Sequence, residues 1–282
     1  MTIEKSVLFV GTDGFPHGWA GVQKAILISK CLLLTGNNIT VICKSGIHSI
    51  DNYPNLKARG SFEGIEYIYT SGYPFRSENF AKRNFLKLKG SVNELALLRK
   101  RKRSKKLDFV IISTRSFRKL VFYSVLSKIY NFKIVLNYVE FFSAVRKDKF
   151  QVISKLNDNL FDKFAPRLAD SIFPISEFLI SHLNDTAPGK KYLKIPGLTD
   201  FDRYNNIDNL EVKNYFLFCG DAGYREIILF ILDSFNKLQS NLFDLYLVIN
   251  GTEENKDIVK KYINESAKKD NIKVFSKLSE KE

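Results

Sequence analysis

Histidine and cysteine are scarce in this chain of 282 residues, three of each, and methionine and tryptophan occur once each. His17, His48 and His182 lie far apart, without the HxxH or HExxH spacing that sets two imidazoles on one helix face. Zinc chemistry therefore has no motif to rest on, and neither a metal nor another cofactor is expected. Cys31, Cys43 and Cys219 fall inside apolar helix or strand patterns at no metal-like spacing, which predicts buried free thiols and no disulfide. No run approaches the roughly 18 apolar residues of a membrane span. The N-terminus opens directly onto a strand with no cleavable signal, so a cytoplasmic location is expected. Acids are the minority charge, 30 Asp and Glu against 44 Lys and Arg, for a net charge of +14.

That charge is concentrated. Residues 82–106 hold eleven bases, ending in Arg99, Lys100, Arg101, Lys102, Arg103, Lys105 and Lys106, against the single acid Glu94. Phe80, Phe85, Leu86, Leu88, Val92, Leu95, Leu97 and Leu98 are interleaved with them, a composition that suits a basic amphipathic helix in an anionic membrane interface. A solvated helix end and a nucleic-acid contact are the alternatives. Neither a helix-turn-helix signal nor RNP-like aromatics support the second, which salt-sensitive binding to DNA or RNA would reveal.

The stretch at residues 7–43 organises the chain. Val7 to Val10 read as a buried strand, a loop with Gly11, Gly14, Gly18 and Gly21 follows, and Val22, Ala25, Ile26, Ile28, Leu32 and Leu33 mark a helix before the strand at 38–43. This is a βαβ unit. Glycines let a backbone approach a ligand, and the following helix N-terminus offers free N–H groups to phosphate. GxGxxG spacing is absent, so an ordinary loop stays an equal alternative. Residues 47–61 read as loop and 65–69 as strand. Helix and strand then alternate: helix 79–103, strand 109–113, helix 119–130 with Phe122, Val125, Leu126 and Ile129 on one face, strand 133–138, helix 149–168, strand 171–174, helix 177–183 behind a Ser176 cap, and strand 192–195. Such alternation implies an α/β fold with a doubly wound parallel sheet. Residues 199–213 are rich in Asp and Asn and read as a linker. A second series follows: strand 215–219, helix 225–238, strand 245–249, helix 254–269 and strand 272–275. Three strands fall short of the roughly five or six of a doubly wound domain, so the second domain is expected to be cut off.

In this order the segments resemble the retaining glycosyltransferases of family 4, of GT-B architecture. Ala20, Gly21, Val22, Gln23 and Lys24 are similar to the family's glycine-pair loop; residues 169–177 (ADSIFPISE) and 194–200 (KIPGLTD) are similar to two later motifs, and 215–235 to the opening of its donor domain. The resemblance implies two Rossmann-like domains, residues 1–198 on the acceptor side and a partial 214–282 on the donor side, joined by 199–213. It implies transfer of a sugar from a UDP- or GDP-linked donor to a lipid-linked or polysaccharide acceptor in cell-surface glycan assembly. By the same carry-over Gly21, Gly220 and Arg225 would meet the donor phosphates and Glu140 would be a polar contact in the cleft. The block from Arg99 to Lys106 would then dock on the inner face of the membrane. Where the family carries Arg and Lys for the departing diphosphate, this chain has Asp221 and Glu226 with Arg225 adjacent, and its paired-glutamate segment is expected beyond Glu282. The alternative is a non-catalytic, membrane-docked module that partners another glycosyltransferase.

Overall fold

The computed structural model of the chain describes residues 4–18, 20–144, 152–201, 214–240 and 242–276, and the chain divides into two compact units, Met1–Arg203 and Tyr204–Glu282. Most of the expected linker, residues 202–213, lies outside the described residues, as do Trp19, residues 149–151 of the expected fourth helix, Glu280 and Glu282.

In the first unit β1 (Ser6–Val10), α1 (Ala20–Leu34) and β2 (Asn38–Cys43) form the βαβ unit. There follow β3 (Arg59–Phe62), β4 (Ile65–Tyr69), α2 (Phe80–Arg103), β5 (Phe109–Ile112), α3 (Phe117–Tyr130), β6 (Lys133–Tyr138), α4 (Val152–Leu168), β7 (Ser171–Pro174), α5 (Glu177–Thr186) and β8 (Lys191–Tyr192). The strands make one sheet in the order β3-β4-β2-β1-β5-β6-β7-β8, parallel throughout except for β3 against β4. Because successive side chains leave a strand on opposite faces, the sheet feeds two cores. Leu8, Val10, Val110, Ile112, Ile134 and Leu136 pack with Leu98 of α2, Tyr123 of α3, Phe161 of α4 and Leu179 of α5. Val7, Phe9, Ile111 and Val135 pack with Val22, Ala25, Ile26 and Ile28 of α1. Helices α2 to α5 thus share one face, and α1 covers the other. The helices start where capping chemistry puts them: Asn79, Ser116 and Ser176 accept from the backbone N–H groups of Lys82, Lys119 and Leu179.

Three expectations are corrected here. Residues 59–62 are a strand, not loop: Glu63 and Gly64, at φ 51° and 81°, make the two-residue hairpin turn that joins it to β4. On α3, Leu126 is buried but Phe122, Val125 and Ile129 are exposed; the sheet-facing stripe is Leu120, Tyr123, Ser124 and Leu126. The helix carries two apolar stripes, and Tyr123 decides between them, because its hydroxyl donates to Glu94, the lone acid of the basic segment, which α2 buries. Third, of the cysteines only Cys43 is buried; Cys31 and Cys219 are free and exposed.

The second unit has β9 (Tyr215–Asp221), α6 (Arg225–Asn236), β10 (Asp244–Asn250), α7 (Glu253–Asn264) and β11 (Ile272–Phe275), with a parallel sheet in the order β11-β10-β9. Ile228 and Leu232 of α6 and Val259 of α7 pack on Leu245, Leu247 and Ile249, so both helices cover one sheet face. Tyr215 stacks on Tyr246 at 4.6 Å on the opposite face, and Cys219, at even spacing from Tyr215, shares that face, which is why it is exposed.

Candidate functional site

In an open parallel sheet, ligands bind beyond the carboxyl ends of the strands, where the strand order reverses. In the first unit that point lies between β1 and β5, since the chain runs from β1 outward through β2 on one side and through β5 on the other. Gly11 ends β1 there at φ +90°, and a Cβ on it would stand 1.8 Å from the carbonyl oxygen of Ser113. Only glycine permits that approach. Ser113 Oγ accepts from Asn137 Nδ2 of β6 at 3.3 Å. Thr12 Oγ1 and Asn137 Oδ1, both buried, have no hydrogen-bond partner among the described residues, so unsatisfied polarity collects at this edge.

The loop that follows is fastened at four successive residues. Cys43 Sγ donates to the carbonyl of Thr12, Lys44 N donates to Asp13 Oδ1 at 2.9 Å, His48 Nε2 lies 2.7 Å from the carbonyl of Gly14, and Tyr69 Oη donates to the carbonyl of Phe15 at 2.7 Å. Burial pushes the Cys43 thiol up to about 12, which keeps it a donor. Beside this loop a 430 Å³ pocket is lined by Pro16, His17, Tyr53, Leu56 and Phe62, with His17 stacked on Tyr53 at 4.4 Å. Burial first, and then the neighbouring His48, hold His17 below the usual histidine range, so it is neutral at physiological pH.

The rigid loop delivers the chain to the N-terminus of α1. Gly21 is the second residue of that helix, exposed, and a Cβ built on it meets nothing within 4 Å. One turn on, Lys24 is buried, and its ammonium donates to the carbonyl of Ile195 at 2.7 Å. Desolvation lowers its pKa, with no carboxylate within ion-pair distance among the described residues to offset it. Lys24 had appeared in the sequence only as the end of the glycine loop; its signal was a cation next to the apolar face of a helix. A buried positive charge beside helix N–H groups favours an anion at this edge. The sign of its effect on stability is testable. A folded pKa below 10.5 means that the unfolded chain holds the proton longer, so stability rises with pH through the window just under that value. Urea denaturation across that window is expected to show the rise in the wild type and a smaller one in Lys24→Met.

Of the other expected site residues, Glu140 lies exposed two residues past β6, on the same carboxyl edge. In the second unit Gly220 is the penultimate residue of β9, and Arg225 opens α6 and donates to Asn255 Oδ1 at 2.7 Å. Tyr224 makes no side-chain cap; its carbonyl accepts from the N–H groups of Ile227 and Ile228, and Asp221 Oδ1 accepts from Gly223 N at 2.7 Å. The basic block lies elsewhere. Helix α2 leaves the carboxyl edge after β4 and returns to the amino edge before β5, about 36 Å for 24 residues, so Arg99 to Arg103 close its last turn with Lys105 and Lys106 beyond, all at the amino end. Among the described residues no group of three His, Cys, Asp or Glu is placed to hold a metal ion, and no helix is long and apolar enough to cross a membrane.

Solved structures supply the comparison that bears on this arrangement. A glycosyltransferase from Rickettsia africae matches with a TM-score of 0.63 at 15% identity, over 98% of this chain and 69% of that one. The chain shares the α/β fold of GT-B glycosyltransferases. Anabaena Alr3699/HepE in complex with UDP and glucose matches at 0.56 and 14% identity, over 98% and 70%, and the lipopolysaccharide outer core galactosyltransferase WaaB at 0.56 and 12%, over 97% and 68%. No protein-family model and no curated protein sequence matches the chain.

Proposed function

We propose that the chain belongs to a retaining hexosyltransferase of the family-4 type, which moves a sugar from a UDP- or GDP-linked donor to a lipid-linked or polysaccharide acceptor in cell-surface glycan assembly. The observation that carries this is the carboxyl edge of the first unit: a fastened glycine loop, open space at Gly21, and the buried charge of Lys24 behind it. The donor phosphate lies at Gly21 on this proposal, with Glu140 as a polar contact of the same unit; within residues 214–282, Gly220 and Arg225 are the residues proposed to meet donor phosphate. No side chain is assigned as general base. Neighbours of the same fold support the donor class, one having been solved with UDP and glucose.

Calorimetry with UDP- and GDP-sugars tests it, using Gly21→Ala as the discriminating variant. Alanine in a helix is more favourable than glycine by about 0.5–1 kcal/mol, and its methyl meets no protein atom, so the variant is expected to be as stable as the wild type or more so. Its donor affinity is expected to fall about tenfold or more, because the methyl fills the space of the phosphate. Unchanged affinity would remove Gly21 from the site. A specific observation favours a second reading, a membrane-docked module without turnover: Asp221 and Glu226 stand where a diphosphate needs cations, and Asp221 is engaged in its own turn. Absence of heat with every donor sugar would select it.

On either reading the acceptor side works at the inner face of a membrane. Every acid on α2, α3 and α4, namely Glu94, Asp158 and Asp162, is buried, so the exposed charge of these three helices is wholly positive. Phe85, Leu88 and Val92 are exposed along α2, as are Phe122, Val125 and Ile129 along α3. Neutralising Arg99 to Lys106 is expected to reduce flotation with anionic vesicles roughly tenfold or more at low salt, at about 1 kcal/mol per cation near the surface. Replacing Phe85, Leu88 and Val92 by serine is expected to reduce it at high salt as well.

A further inference from the structure

A second cavity, of 630 Å³, lies away from the glycine loop, between the β3–β4 hairpin and the last turns of α2. Four cations line it, Arg59, Lys100, Arg101 and Lys106, against one carboxylate, Glu66. They come from three places in the chain: Arg59 from β3, Lys100 and Arg101 from α2, and Lys106 from the turn before β5. Basic residues in the last turn of a helix are common because they offset its dipole. That accounts for Lys100 and Arg101 but not for Arg59 or Lys106, which lie off the helix.

Three of the four cations are not neutralised by a carboxylate among the described residues. Arg101 is braced: Nη2 donates to Thr40 Oγ1 at 3.0 Å and lies 3.6 Å from Glu66 Oε2, which in turn accepts from Thr40 Oγ1 at 3.2 Å. Glu66 is thereby consumed by Arg101 and Thr40. Arg59, Lys100 and Lys106 have no carboxylate within ion-pair distance among the described residues, and all three are exposed. Like charges gathered around one concavity repel, and the arrangement is relieved by an anion of more than one charge. Guanidinium and ammonium groups are the side chains that bind phosphate oxygens, and three of these four have no carboxylate partner among the described residues. A cavity of this volume is of the size that holds a small ligand.

We propose that this cavity is a binding site for a phosphate monoester or diphosphate group, separate from the donor site at Gly21. Its lining comes from the β3–β4 edge of the sheet, from α2 and from the turn after it, and includes no residue of the glycine loop or of α1, so a ligand there leaves the Gly21 site free. The group belongs to a soluble phosphorylated molecule or to a phospholipid headgroup, and the two sources share the recognition chemistry.

Titration calorimetry of the full chain with inorganic pyrophosphate tests the site. Three proteins are compared: wild type, the triple variant Arg59→Ser, Lys100→Ser and Lys106→Ser, and a control triple Lys128→Ser, Lys155→Ser and Lys163→Ser that removes the same charge from exposed positions outside the cavity. The cavity triple spares Arg101, whose bonds to Thr40 and Glu66 brace the hairpin. Pyrophosphate affinity is expected to fall at least tenfold in the cavity triple and to stay within about twofold of wild type in the control, with an affinity that weakens as salt rises. Equal losses in both triples, unchanged affinity in the cavity triple, or no binding by the wild type would overturn the proposal; unchanged affinity would move pyrophosphate to the Gly21 site without touching that assignment. Flotation with phosphatidylcholine vesicles containing phosphatidic acid then names the source. A loss of flotation in the cavity triple that is larger on these vesicles than on phosphatidylserine vesicles of equal charge assigns a lipid phosphate monoester, and the same loss on both, alongside the calorimetric loss, assigns a soluble one.

Discussion

Replacing Gly11 by alanine is expected to cost about 2–5 kcal/mol, a large fraction of the roughly 5–15 kcal/mol of a typical domain. Two penalties combine. At φ +90° an L-residue pays about 1–2 kcal/mol in backbone conformation. The new Cβ would also stand 1.8 Å from Ser113 O and 2.8 Å from Ser113 C, and because the obstacle is backbone it cannot rotate away. Relief requires β1 and β5 to part where Ser113 N donates to Val10 O at 2.9 Å, an overpacking cost of about 1–3 kcal/mol. Gly36→Ala isolates the first penalty, since Gly36 has φ +79° with nothing within 4 Å of its Cβ. Urea denaturation should place Gly36→Ala about 1–2 kcal/mol below wild type and Gly11→Ala well below that. Equal losses would show that the β1–β5 contact yields freely, and the switch point between these strands would not be rigid.

The strand, glycine loop and helix around Gly11 are legible in the sequence because each rests on a local signal: a short apolar run, clustered glycines, apolar residues at helical spacing. So are β6 and β7, whose ranges, Lys133–Tyr138 and Ser171–Pro174, coincide with those read from the sequence. What was not legible depended on partners distant in the chain. The stripe formed by Phe122, Val125 and Ile129 is as regular as the one that α3 buries, and the choice between them lies in Tyr123 meeting Glu94, 29 residues away. Glu94 itself read as the odd acid in a basic run. It is buried, and its company is a phenol whose ionisation is opposed by burial first and then by the Glu94 charge. β3 has four residues and one of them is glycine, too short for alternation to show. For the candidate site, Gly21 was visible as glycine in a loop, whereas Lys24 acquires meaning only from the carbonyl of Ile195, 171 residues on. The cavity cations show the same limit: Lys100, Arg101 and Lys106 were visible as a run, but Arg59 joins them through the hairpin that the sequence did not reveal.

Removing the Arg115 side chain is expected to cost about 3 kcal/mol, although the residue is well exposed. Its guanidinium makes a two-point contact with Asp158, Nε to Oδ1 at 3.0 Å and Nη2 to Oδ2 at 2.6 Å, and the Asp158 side chain is fully buried in α4. An exposed ion pair would contribute little. Here truncation removes the two-point cationic partner of a buried carboxylate, for which 3–5 kcal/mol is usual, and the lower end applies because the carboxylate keeps other contacts, Asn157 Nδ2 to Asp158 Oδ1 at 3.1 Å among them. The loss has a location as well as a size. Asn157 also takes the Phe117 N–H and donates to the carbonyl of Arg115, so α4 clamps the loop that leaves β5 on the carboxyl edge. Adding Asp158→Asn to Arg115→Ala removes the buried charge while keeping an amide of the same shape. The double variant is therefore expected to be more stable than Arg115→Ala alone, by about 1 kcal/mol or more in urea denaturation. A double variant weaker than both singles would mean that Asp158 acts through its other contacts, and that the guanidinium contributes packing over the Phe142 ring, 5.4 Å from its centroid, more than charge.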